Sequence, residues 1–303
     1  MGRGPLAGPV VASAVILPQD HDIIGLNDSK KLSPKKRLVL YNEIMDKSTS
    51  IGIGLESINT IDKVNIRNAT FIAMKKAIQN LDIKPDRLLI DGVDVPKLNV
   101  PYEGVVKGDT KIESIMAASI IAKVVRDRIM IDYSVIYPEY GFEKHKGYGT
   151  KMHMEALRKN MATPIHRKSF NPVSKYLPTF KWLRKNNKLR WMAQKLSAMY
   201  LLEDGYSIDS IAVMLDNNLL VDIIGLKNRL KIFVFVNLVN DSSYDKNLHS
   251  VITNEASIKN NILKYFSFNN INITQPWRVD IIDVDLYSKI SKFEYFEGIL
   301  SSK

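Results

Sequence analysis

Residues 87–127 read RLLIDGVDVPKLNVPYEGVVKGDTKIESIMAASIIAKVVRD, and this stretch decides the fold class. Leu88-Leu89-Ile90 is a short apolar run that stops at Asp91-Gly92, the pattern of a buried strand ending in a sharp turn. Val105-Val106 is a second such piece and leads into Lys107-Gly108-Asp109. From Ser114 to Met130 the composition turns to Ala and Ile, and Ala117, Ala118, Ile121, Ala122 and Val125 give a small-residue helix face. Strands alternating with helices indicate an α/β domain. A carboxylate at a strand end is held by a rigid element and points from the sheet edge, where α/β folds place active sites. Asp91 and Asp109 are therefore the first candidates, although an Asp beside Gly is also an ordinary turn signal.

Working outward, Val10 to Leu17 is a continuous run rich in Val and Ile, closed by Pro18, and reads as a buried strand. Ser33-Pro34 starts a helix, with Ser33 as N-cap. Residues 51–56 alternate as a short strand, and Ile66, Ala69, Ala73, Met74, Ala77, Ile78 and Leu81 recur at helical spacing. The stretch 174–190 is basic and broken by Pro178, as a linker would be. Beyond it a helix (191–203) and strand-like runs at 219–225, 231–239 and 278–286 predict a second small α/β domain.

Composition narrows the function classes. The 303 residues contain no cysteine, which excludes disulfide scaffolds, thiolate zinc sites and cysteine nucleophiles, and suits a reducing cytoplasm. The net charge of +11 divides unevenly. Up to Pro178 there are 27 basic against 19 acidic residues (+8), and beyond it 16 against 13 (+3). The first domain is thus the one built to attract a polyanion. The start MGRGPLAGPVVASAVILP superficially resembles a secretory signal. However, its apolar stretch before Ala12-Ser13-Ala14 is cut by Gly8 and Pro9, and it falls short of the roughly 7–15 apolar residues such a signal needs. No segment reaches the roughly 18 apolar residues of a membrane span, so no membrane association is expected.

The surrounding words add more. G-R-G-P-L-A-G-P-V-V at 2–11, L-N-D-S-K-K-L-S at 26–33, L-I-D-G at 89–92, V-K-G-D at 106–109, A-A-S-I-I-A-K-V-V-R-D at 117–127, Y-G-F-E-K-H-K-G-Y-G-T at 140–150 and H-R-K-S-F at 166–170 stand in one order. In that order and spacing they resemble ribonuclease HII, the type 2 ribonuclease H family, over residues 1–176. The division expected is a ribonuclease-H-like domain at 1–176, a basic linker at 177–186 and a second small α/β domain at 187–303. The resemblance implies a monomeric cytoplasmic endonuclease that cleaves the RNA strand of RNA–DNA hybrids and at ribonucleotides embedded in duplex DNA. Such an enzyme uses Mn²⁺ or Mg²⁺ held by four carboxylates and leaves 5′-phosphate and 3′-hydroxyl ends. Asp91 and Asp109 match the third and fourth carboxylates. Gly2, Arg3 and Gly4 match the loop that senses the ribose 2′-hydroxyl, and Tyr148 matches the tyrosine packed on the sugar. Lys30, Lys31, His166, Arg167 and Ser169 are expected at phosphates, while Asp127 is expected to be structural.

The family pattern D-E-x-G-R-G places two more metal ligands ahead of the glycine motif, whereas this sequence begins Met1-Gly2-Arg3-Gly4. The expectation is a reading frame that begins upstream; the alternative is a non-catalytic binder of RNA–DNA hybrid. The second domain resembles, more faintly, the YraN-like family of restriction-endonuclease-like fold. Asp222 keeps one acid of that pattern, Phe235 and Asn237 stand where Glu and Lys belong, and Met192-Ala193 falls near the first acidic position. A catalytically dead domain is expected, with Asp222 a polar residue at a strand edge.

Overall fold

Strand β2 (Ser50–Glu56) carries glycine at alternate positions, and this brings a helix backbone directly onto the sheet. A Cβ on Gly52 or Gly54 would run into the carbonyl oxygens of Ala77 and Ala73. Helix α2 (Ile58–Gln79) answers with its own small residues, because Ala69, Ala73 and Ala77 are buried along one stripe. Ser57 caps this helix, and Asn65 (φ 67°) interrupts it with a second cap, its Oδ1 accepting from the Asn68 N–H at 3.1 Å. Strand β1 (Val10–Ile16) pairs antiparallel with β2, Ser13 opposite Ile53. Helix α1 (Pro34–Lys47) begins where the Ser33-Pro34 signal places it, with Ser33 Oγ accepting from Lys36 N–H at 3.3 Å.

The computed structural model describes residues 1–216, 219–239, 254–288 and 291–302. They form two compact units, Met1–Ile131 with Glu139–Leu177, and Asp132–Pro138 with Pro178–Lys303. In the first unit, β3 (Leu88–Asp91) pairs parallel with β4 (Tyr102–Val105), and helix α3 (Glu113–Ile136) follows, its last turn counted with the second unit. Helices α4 (Phe142–His145) and α5 (Lys151–Asn160) complete it. Strand β1 departs from its expectation. Val10 and Val11 are buried, but Ala12 to Ile16 are only half-buried, because one edge of β1 faces an open cleft instead of another strand.

The stretch 177–186, expected as a linker, contains helix α6 (Phe180–Lys185), capped by Thr179 Oγ1 on Trp182 N–H at 3.1 Å. The basic, Pro-broken composition masks an ordinary Thr cap. In the second unit, α7 (Leu189–Glu203) precedes strands β5 (Ser207–Asp216), β6 (Leu219–Lys227) and β7 (Leu230–Leu238). Helix α8 (Glu255–Phe268) and strands β8 (Trp277–Asp285) and β9 (Lys292–Ser301) complete a five-stranded sheet in chain order. β7 and β8 are parallel and the other neighbours antiparallel, over a core that includes Val221, Ile224, Phe233, Phe235, Ile262 and Phe266. β5, α8 and β9 are not among the elements expected from the sequence, although Ile258, Ile262 and Phe266 stand at helical spacing and lie on the buried face of α8. No helix among the described residues is long and apolar enough to cross a membrane.

Replacing Gly54 by Ala should destabilise the first unit by roughly 1–3 kcal/mol, because the methyl meets helix backbone that no rotamer change can move. Thermal melts of the Gly54→Ala chain would show it, and an unchanged melting temperature would mean the helix can slide.

Candidate active site

The end of β3 and the turn after β4 are tied together by one side-chain hydrogen bond. Gly108 N–H donates to Asp91 Oδ1 at 2.9 Å, while Gly92 N–H donates to Val105 O at 2.8 Å. Lys107 adopts the left-handed conformation (φ 55°), which turns the chain so that Asp109 follows in a short 3-10 turn. Asp91 is exposed and Asp109 half-buried. Burial first, then the neighbouring Asp91 carboxylate and Asp28, push the Asp109 carboxyl above its ordinary range, with Lys30 opposing.

Both aspartates line one cleft of about 1090 Å³ in the first unit. Gly2, Arg3, Gly4, Lys30 and Tyr148 line the same cleft, together with residues 12–18 of the β1 region and Thr70, Met74 and Ile78 of α2. A Cβ on Gly4 would stand 3.8 Å from the Tyr148 ring, so the glycine loop and the tyrosine are neighbours. The tyrosine loop rests on buried histidines. His153 Nδ1 lies 3.0 Å from Tyr148 O, and its Nε2 lies 3.0 Å from His166 Nε2. Burial lowers His153 to about 4 and His166 to about 3, so both imidazoles are neutral at pH 7.

Two residues expected at phosphates, His166 and Arg167, are turned inward, and a third, Ser169, is engaged at the surface. His166 is fully buried and is held by Thr163 and His153. Arg167 is fully buried too, donating to the carbonyl oxygens of Gly2 (2.6 Å), Arg3 (2.9 Å) and Gly8 (3.0 Å). Ser169 is exposed, but its Oγ donates to Asp62 at 2.6 Å. A basic or polar residue in a motif reads as a ligand contact from sequence, and only burial shows that it supports the loop from behind. Lys31 is exposed and lies outside the residues lining the cleft. Asp127 pairs with Lys123 at 2.7 Å.

The second unit corrects another expectation. Asp222 is not at a strand edge; it is fully buried on β6. It accepts from Arg190 Nη2 (3.1 Å), Gln194 Nε2 (3.2 Å) and Val236 N–H (2.8 Å). Burial pushes its carboxyl up, against the pull of Arg190, Val236 and Gln194. Gln194, one residue past Met192-Ala193, joins Arg190 in reaching Asp222 from α7, and an uncharged amide in a helix carries no signal of that role. Phe235 lies in the core and Asn237 donates to Asp283 at 2.9 Å.

Carboxylates at the end of β3 and in the turn after β4, in a basic α/β domain, point to a class, the nucleases that hydrolyse phosphodiesters of nucleic acid. The Ribonuclease HII family profile matches residues 1–173, more than half of the chain, and the chain belongs to that family. Over 176 residues it is 56% identical to a ribonuclease HII of Lactobacillus johnsonii, covering 58% of this chain and 70% of that one. A ribonuclease HII of Enterococcus faecalis is 55% identical over 175 residues, covering 57% and 68%. Among solved structures, ribonuclease H2 from Pyrococcus horikoshii matches with a TM-score of 0.50 at 29% identity, covering 58% of this chain and 93% of that one. The chain is thus a ribonuclease H enzyme of the endonuclease family that acts on RNA–DNA hybrids.

The family is metal-dependent, and the donors here can be tested against that. Asp91 and Asp109 are hard oxygen donors whose mutual repulsion a divalent cation would relieve. Among the described residues, no group of three or more His, Cys, Asp or Glu could hold a metal ion. The two carboxylates do not by themselves enclose a metal pair.

Asp91→Asn removes the like charge beside Asp109, so the Asp109 carboxyl should titrate at lower pH than in the unsubstituted chain. Carboxyl NMR titration measures it; an unmoved midpoint would place the two groups too far apart to share a cation.

Proposed function

We propose that this chain carries the cleft of an endonuclease that cleaves the RNA strand of RNA–DNA hybrids, and duplex DNA at embedded ribonucleotides, leaving 5′-phosphate and 3′-hydroxyl ends, and that full rate needs two carboxylates beyond Asp91 and Asp109. The convergence of Gly2, Arg3, Gly4, Lys30, Asp91, Asp109 and Tyr148 on one cleft supports this reading best. In it, the peptide groups of Gly2 to Gly4 meet the ribose, Tyr148 packs on the sugar, and Lys30 draws in a phosphate. Asp91 and Asp109 are two of the cation donors, with Mn²⁺ or Mg²⁺ the expected metal, acting in the cytoplasm on a monomeric enzyme. When bound, such a metal supplies charge stabilisation at the scissile phosphate.

The test compares the 303-residue polypeptide with the same chain preceded by Asp-Glu, on a duplex containing one ribonucleotide. With two carboxylates, hydrolysis should be at least about a hundredfold slower than with four. In the four-carboxylate chain, Asp91→Asn and Asp109→Asn should each lower the rate about a hundredfold or more while binding persists. Robust Mn²⁺-dependent nicking by the 303-residue chain would overturn this account of the ligands. Binding without cleavage in the four-carboxylate chain would favour the hybrid-binding reading.

We infer further that the second unit is a catalytically silent domain of YraN-like, restriction-endonuclease-like kind. Its one buried acid on β6 is already neutralised by Arg190, and β7 offers Phe235 and Asn237 where acid and lysine belong. Asp222→Ala should leave cleavage unchanged yet destabilise this unit by roughly 2–3 kcal/mol, because Val236 N–H loses its acceptor and Arg190 its partner, while Gln194 keeps only the Asp222 backbone carbonyl. Trp182, Trp191 and Trp277 all lie in this unit, so tryptophan emission during urea unfolding reports it. An unshifted midpoint would show that the network carries no stability.

A further inference from the structure

Two guanidinium groups lie beneath the glycine loop, 1% and 0% exposed, and among the described residues neither makes an ion pair with a carboxylate. Arg126, on α3, donates to the carbonyl oxygens of Ala7 (3.1 Å), Pro9 (3.0 Å) and Lys146 (3.0 Å). Arg167 donates to those of Gly2, Arg3 and Gly8. A buried cation is costly unless its donors are satisfied, and here backbone carbonyls from two cleft-side loops supply the acceptors. The two loops also meet directly, with Leu6 N–H donating to Gly147 O at 2.8 Å. Gly2 admits the arrangement, since a Cβ there would overlap the Arg126 side chain.

The consequence for the cleft follows from peptide geometry. In a trans peptide the C=O of one residue and the N–H of the next point in opposite directions. With the carbonyls of Gly2 and Arg3 turned inward to Arg167, the N–H groups of Arg3 and Gly4 are turned away from it. Among the described residues those two N–H groups donate to no acceptor, and both residues line the cleft.

We propose that Arg126 and Arg167 are positioning residues that set ribose recognition by holding the carbonyls of the 2–9 loop inward and tying that loop to the 146–148 turn beside Tyr148. The proposal rests on the reading of the cleft as a ribonucleotide site. Lysine keeps the charge but lacks the planar fork that bridges several carbonyls, so Arg→Lys separates position from charge.

The experiment measures binding of the full chain to a duplex with one ribonucleotide and to the same all-DNA duplex, by fluorescence anisotropy in EDTA. Amide exchange of residues 2–9 and 146–149 is followed by mass spectrometry. Arg126→Lys and Arg167→Lys should each bring the ribonucleotide preference to within about twofold of unity, leave all-DNA affinity within about threefold, and speed exchange in both segments. Folded variants with unchanged preference and exchange would overturn the proposal. If the unsubstituted chain shows no preference, the ribonucleotide reading fails, and exchange decides: unchanged rates in the variants overturn the bracing as well.

Discussion

A guanidinium taken out of water must find acceptors for its donors, and this constraint organises the first unit. Arg126 reaches back from α3 across more than a hundred residues of sequence to Ala7 and Pro9, and Arg167 does the same from near the end of the unit. Each bond goes to backbone, so the loop is fixed without any requirement on its side chains. Gly2 is the exception, since it must lack a side chain to make room for Arg126.

The legible part of the fold is the part where local chemistry and burial agree. Ser33-Pro34, the Leu88–Gly92 turn and the small-residue face of α3 each carry their own signal, and each is found where expected. Asp91 lies at the end of β3 as its Leu-Ile-Asp-Gly setting predicts, and Asp109 in the turn after β4. His166 and Arg167 mislead because polarity does not tell which way a residue faces. An arginine that solvates carbonyls and one that meets phosphate have the same sequence signature.

The second unit shows the opposite failure. Asp222 sits among apolar neighbours, where an acid reads as an interruption at an edge. Its partners, Arg190 and Gln194, come from α7, some thirty residues earlier, and no local pattern links them. Met192 and Ala193, the pair at the expected acidic position, are buried and belong to the packing of that helix.

The close seat of α2 on β2 reaches further than stability. Ala69, Ala73 and Ala77 face the sheet, while Thr70, Met74 and Ile78, each one position along, line the cleft. A wall and a foundation are therefore two stripes of one helix, offset by about 100° of rotation. The width of the cleft is set from behind, by the thickness of two missing side chains on β2. A relative with alanine at those positions would have to carry its cleft wall away from the sheet.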